Sequence, residues 1–164
     1  MKSQIIFLAF LVTFLSGCEQ QNSSNESSDT KFVQSADGTK IAYQTYGKGD
    51  MPLVLVHGWC CDRSYWNKQI EFFKQDYKIV AIDLAGHGES GLDRENYTMQ
   101  SFADDVSAVI NDLNLTNCVA LGHSMGGMVV TETAAHNPEK IRAVFLVDSY
   151  KEYPESLTGA ELDS

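Results

Sequence analysis

The chain has 164 residues, 43% of them hydrophobic and 10% aromatic, which is enough for one globular domain of ordinary size. Its formal net charge of -10 at pH 7, with no basic cluster anywhere, argues against nucleic acid as a partner. The four cysteines and four histidines show neither C-x-x-C nor H-x-x-x-H spacing, so no metal site and no cofactor is expected.

At the N-terminus Lys2 precedes an apolar run, 5–15, broken only by Thr13. The run falls short of the roughly 20 residues a bilayer span needs, but it fits the h-region of a secretory signal. It ends in Leu15-Ser16-Gly17-Cys18, which resembles the lipobox of bacterial lipoproteins. That resemblance implies cleavage after a signal peptide at 1–17, a lipid on the Cys18 thiol, and a membrane-anchored place in the bacterial cell envelope, outside the cytoplasm. Several acyl chains, which it also implies, would anchor stably where one holds only marginally. Residues 18–30, rich in Gln, Asn, Ser and acids, cannot bury enough surface to order themselves and read as a flexible tether. With Cys18 assigned to lipid, Cys60, Cys61 and Cys118 are an odd set with two adjacent members, and read as free, mostly packed thiols.

Residues 31–35 and 40–46 are strand-forming and flank the turn signal Ala36-Asp37-Gly38-Thr39, so they predict a hairpin. A short apolar run at 53–56, preceded by Pro52, predicts a strand buried on both faces. Tyr65, Trp66, Ile70 and Phe73 predict an amphipathic helix over 65–75. A second buried strand at 78–82 leads into Asp83 and the loop Gly86-His87-Gly88-Glu89-Ser90-Gly91. Apolar positions 102, 106, 109, 110 and 113 predict a helix over 98–113, with Asp104 and Asp105 on its other face. A third buried strand at 118–121 runs into Gly122-His123-Ser124-Met125-Gly126-Gly127, and a helix follows to about His136-Asn137-Pro138. Residues 141–147 predict a fourth buried strand. The alternation predicts an α/β fold: a mostly parallel sheet with helices on both faces and an antiparallel hairpin at one edge.

The element G-x-S-x-G marks Ser124 as a candidate nucleophile, set where a strand turns sharply into a helix. Gly122 and Gly126 remove side chains that would collide around that turn, and Gly127 lets the helix pack closely. The following helix points its free N–H groups at the place where negative charge would develop.

Three elements follow their strands in order: His57-Gly58, Asp83-x-x-Gly-x-Gly-x-Ser90, and the serine turn. Together they resemble the α/β-hydrolase family over 31–149. The resemblance implies a serine hydrolase that cleaves an ester or related acyl bond of a small molecule through an acyl-enzyme. Backbone N–H groups of Trp59 and Met125 would bind the oxyanion. Asp148, at the end of the fourth buried strand, is where some relatives carry the triad acid; a carboxylate capping the next segment is the plainer reading. His57 is expected to support the oxyanion loop, His87 to make a structural hydrogen bond, His123 to diverge from the serine, and His136 to meet terminal carbonyls of its helix. No histidine follows His136, so the general base has no evident candidate.

Relatives of this kind continue with a lid, two more strands, and loops bearing the acid and the histidine. Residues 31–149 are therefore expected to be a partial, C-terminally truncated domain lacking the last strands, with 150–164 the start of a lid or a frayed tail. Such a chain would expose its fourth buried strand as an edge. Trp59, Tyr65, Trp66 and Met125 are candidates for a modest apolar pocket.

Overall fold

A computed structural model describes residues 29–149. The signal segment 1–17, nearly all of the tether, and the tail 150–164 lie outside the described residues.

Six strands form one sheet: β1 (Lys31–Gln34), β2 (Lys40–Tyr46), β3 (Pro52–Val56), β4 (Lys78–Ile82), β5 (Cys118–His123) and β6 (Ile141–Val147), in the order β1-β2-β4-β3-β5-β6. β1 and β2 form the expected hairpin and β2 pairs antiparallel with β4, while the pairs among β4, β3, β5 and β6 are all parallel. Helices α1 (Asn67–Phe73), α2 (Met99–Asp112) and α3 (Met125–His136) connect them. The predicted helix at 65–75 begins as a 3-10 turn at Arg63–Trp66, capped by the Asp62 carboxylate on the Ser64 N–H.

Side-chain alternation along the strands divides the core in two. Val54 and Val56 of β3, Val80 and Ile82 of β4, and Cys118 and Ala120 of β5 face α2 and α3, joining Phe102, Val106, Val109, Val129 and Val130. Leu53, Leu55, Ile79, Ala81 and Val119 face the other way, against Trp66 and Ile70 of the α1 segment. All five residues of β3 are buried because both of its faces are covered.

Asp105 departs from expectation: it is completely buried, not on the solvent face of α2. It stands three residues after Phe102 and four before Val109, so helical periodicity places it on the apolar stripe. Arg94, itself 7% exposed, meets it there, with Nη2 on Oδ1 at 2.5 Å and Nη1 on Oδ2 at 3.0 Å. Burial pushes the Asp105 carboxyl up from its ordinary value, against the pull of Arg94. The same guanidinium bonds Asp37 in the hairpin turn and holds that exposed carboxyl down at about 2. One arginine thus joins the β1–β2 turn to α2.

β6 has the apolar pattern of a buried strand, but only its Ile141 is buried and Val144, Phe145, Leu146 and Val147 are 36–59% exposed, in keeping with the expected exposed edge. The reason is position: among the described residues β6 pairs with β5 alone and forms an edge of the sheet.

Candidate active site

β3 is the strand at which the chain reverses direction across the sheet. The connection through α1 carries it to β4 on one side, and the next, through α2, returns it to β5 on the other. Open parallel sheets bind ligands outside the carboxyl ends of the strands at such a switch point. The loop after β3 and the serine turn after β5 flank this crevice.

The turn is tightly built. Ser124 adopts φ 51 and ψ -119, a left-handed conformation that a non-glycine residue occupies only when its surroundings enforce it. A Cβ on Gly122 would strike the Gly126 carbonyl, and one on Gly126 would strike the carbonyl oxygens of Val56 and His57, so both glycines are required by close backbone approach. The Ser124 N–H donates to Val147 O at 2.9 Å, and Ser124 O accepts from the Gly127 N–H at 3.0 Å. The side chain is left exposed at the start of α3. Met125 follows as the first helical residue, and neither its N–H nor that of Trp59 donates to any described residue.

The loop carrying Trp59 is tied to the loop after β4 at three points. The Leu84 N–H donates to His57 Nε2 at 3.1 Å, and the Cys60 N–H donates to His87 Nε2 at 3.3 Å. Asp83, completely buried, accepts from the Arg63 N–H at 2.7 Å and the Glu89 N–H at 2.9 Å, and pairs with the Arg63 guanidinium. Arg63 also reaches Glu89 and Gln44. Sequence reading missed Arg63 altogether; the signal was the acidic Asp83 heading the glycine-rich loop, which requires a cation once buried.

None of the four histidines hydrogen-bonds Ser124. His57 is fully buried, with Nδ1 2.7 Å from Gly58 O and Nε2 accepting from Leu84, so both ring nitrogens are committed to backbone in the neutral form. Burial holds its pKa below the ordinary value. His87 is likewise engaged, its Nδ1 3.0 Å from Ala85 O. The His123 ring stacks on Tyr65 at 4.4 Å, and its buried Nδ1 has no partner. His136 does not meet terminal carbonyls as expected; it lies 3.4 Å from Gln100 Nε2 and 3.7 Å from the Glu132 carboxylate. The i,i+4 spacing to Glu132 along α3 explains that choice.

Asp148 sits past the end of β6 at φ 47, exposed and bonded to no described residue; the next segment, which its carboxylate is expected to cap, lies outside the described residues. The apolar pocket grouping does not assemble. Trp66 is packed beneath the sheet with Ile70, and Met125 on the opposite face with the α2–α3 core. Trp59 and Tyr65, 60% and 46% exposed, stand at the surface beside His87 and His123. The three described cysteines are free, with Cys118 buried but Cys60 exposed at φ 57 in the loop after Trp59.

Comparison with known proteins matches residues 51–163 to the alpha/beta hydrolase fold family. A non-heme chloroperoxidase of Streptomyces lividans is 35% identical over 120 residues, which is 71% of this chain and 44% of that protein. A bifunctional esterase/perhydrolase of Acinetobacter calcoaceticus is 37% identical over 109 residues, 65% of this chain and 40% of that one. Among solved structures, an esterase from Exiguobacterium antarcticum superposes with a TM-score of 0.71 at 28% identity, covering 82% of this chain and 53% of its own. The chain spans less than half the length of these curated relatives. With the sheet order, the serine turn and these matches in agreement, the chain belongs to the α/β-hydrolase fold family.

Proposed function

We propose that this chain carries the nucleophile side of a serine hydrolase site, cleaving a carboxylic ester or related acyl bond of a small molecule. The observation that carries the reading is Ser124, exposed in a left-handed turn at the switch point, with the amides of Met125 and Trp59, which donate to no described residue, on either side of the crevice. Ser124 Oγ adds to the acyl carbon, and the charge that grows on the acyl oxygen is received by those two N–H groups. Collapse breaks the bond from the acyl carbon to the alcohol oxygen, and the proton lost by Ser124 passes to that oxygen as the alcohol departs. Water then hydrolyses the acyl-serine to the acid and free Ser124. One such donor is worth about 3 kcal/mol in the barrier. The esterase activity named for the Acinetobacter relative supports an acyl substrate.

Asp148 is the triad-acid candidate, and the serine proton has no acceptor among the four histidines as they stand: none of them hydrogen-bonds Ser124, and His57 and His87 are committed to backbone. Without a base, serine hydrolases retain only about 10³ to 10⁴ over water. That no histidine among the described residues bonds Ser124 favours a second reading, a non-catalytic envelope protein or a non-functional fragment. A fluorophosphonate probe separates the two. Labelling of the wild-type chain that disappears in Ser124→Ala supports the hydrolase, whereas a folded chain that stays unlabelled supports the second reading.

For location, we propose lipid attachment at Cys18 and anchoring to the envelope membrane. Radiolabelled palmitate should enter the wild-type chain in a bacterial host and not Cys18→Ser; equal labelling of both would overturn the assignment.

A further inference from the structure

Immediately beyond β6 the backbone kinks at Asp148 and brings Ser149 onto the serine turn. Ser149 Oγ lies 2.8 Å from Ser124 O, 3.3 Å from Val147 O and 3.5 Å from Gly122 O. A hydroxyl has one proton to give, and the shortest of these contacts is to Ser124 O. That carbonyl has two lone pairs, and its other partner is the Gly127 N–H at 3.0 Å. Both acceptor sites of one peptide group are therefore filled.

The consequence is directional. A peptide unit is planar and trans, so the C=O of Ser124 and the N–H of Met125 point in opposite directions within one rigid plane. Fixing the oxygen fixes the aim of the hydrogen. Val147 O holds the preceding peptide through the Ser124 N–H at 2.9 Å, so two residues at the end of β6 grip Ser124 from both sides. The second glycine of the Gly126-Gly127 pair fits this arrangement: a Cβ on Gly127 would strike Ser149 Oγ. Small residues on both sides let a hydroxyl reach the carbonyl directly.

We infer that Ser149 is a positioning residue that aims the Met125 N–H into the oxyanion site and holds Ser124 in its left-handed conformation. The role rests on the acyl-transfer reading for its catalytic consequence, but its structural content stands separately. Ser149 touches no reacting atom; it acts through the Ser124–Met125 peptide plane.

The test compares wild-type chain, Ser149→Ala and Ser149→Thr by two readouts. The first is the rate constant for fluorophosphonate labelling of Ser124 at saturating probe, together with the probe concentration at half-maximal rate. Misaiming one oxyanion donor should lower the saturating rate in Ser149→Ala by about 10- to 100-fold, a part of the 10²- to 10³-fold loss on removing such a donor, and leave the half-saturating concentration within twofold. Ser149→Thr, which keeps the hydroxyl, should recover most of the rate. The second readout is amide hydrogen exchange, in which Gly127 and Ser124 should exchange about tenfold faster in Ser149→Ala while α2 amides stay unchanged. Wild-type labelling and wild-type exchange in Ser149→Ala would overturn the inference. If the wild-type chain resists the probe, the acyl-transfer reading falls, and exchange alone decides: faster Gly127 exchange supports the positioning role, and unchanged exchange rejects it.

Discussion

His57 shows how a histidine beside a candidate catalytic serine is spent on structure. Its ring is completely buried and both nitrogens are bonded to backbone, Nδ1 to the Gly58 carbonyl and Nε2 from the Leu84 N–H, so a proton added to Nε2 would displace the Leu84 N–H. Burial is the first cause of its lowered pKa. The sign follows from linkage: as pH falls below the ordinary value of 6.5 the unfolded chain takes up a proton that folded His57 refuses. The stability present above that value is therefore lost on acidification. Urea midpoints measured at about pH 7.5 and about pH 5 should drop more for the wild type than for His57→Gln, which can still donate and accept. Equal drops would show that other groups carry the acid sensitivity. At this scale the sequence was informative where backbone geometry demands a residue type, as at Gly122 and Gly126. It misled where a charge type was weighed above helical position: Asp105 is acidic, but its spacing from Phe102 and Val109 had already placed it inside, where Arg94 waits. Nothing local in the sequence pairs residue 63 with residue 83, because the loops that carry them meet only when β3 and β4 lie side by side.

Among the elements, the serine turn is the one whose stability and chemistry share the same atoms. β5 enters it, α3 leaves it, and β3 passes beneath so closely that a single methyl at Gly126 would meet the carbonyl oxygens of Val56 and His57. Backbone cannot rotate aside as a side chain can, so Gly126→Ala must push α3 away from β3. Overpacking of this kind costs about 1–3 kcal/mol, and the backbone neighbours put this site at the upper end. A lowered urea midpoint with an unchanged slope is the expected result; an unaltered midpoint would mean that α3 is less tightly seated than its contacts indicate. The strands and helices were readable from periodicity because each buries a regular stripe. Their order across the sheet was not read from the sequence: the rule that parallel crossovers share one hand narrows the arrangements for four parallel strands and a hairpin without choosing among them. What periodicity could not supply was the coverage of each strand: apart from Arg142, 141–147 is as apolar as 53–56, and its place in the sheet decides that one is buried and the other exposed.

For the whole molecule, that difference makes β6 a liability. An edge strand offers unpaired N–H and C=O groups, and native proteins blunt such edges with charge, bulges or cover. β6 carries an exposed Arg142 at a register shift near its start, but beyond it offers Phe145 and Val147 on one face and Val144 and Leu146 on the other, all exposed among the described residues. A net charge of -10 opposes association between copies, but at physiological salt repulsion is screened beyond about 8 Å, shorter than the domain is wide. The chain should therefore associate in a concentration-dependent way through this edge. Phe145→Lys separates edge chemistry from net charge, because an added lysine brings the charge closer to zero and by itself favours association. If sedimentation velocity nevertheless shows fewer large species for Phe145→Lys, the edge is the cause. Phe72→Lys is the matched control: Phe72 is even more exposed, at 75% against 59% for Phe145, but it lies on α1, away from the edge. Equal effects of the two substitutions would attribute association to exposed aromatic surface in general, and a monomeric wild type would show that β6 is shielded.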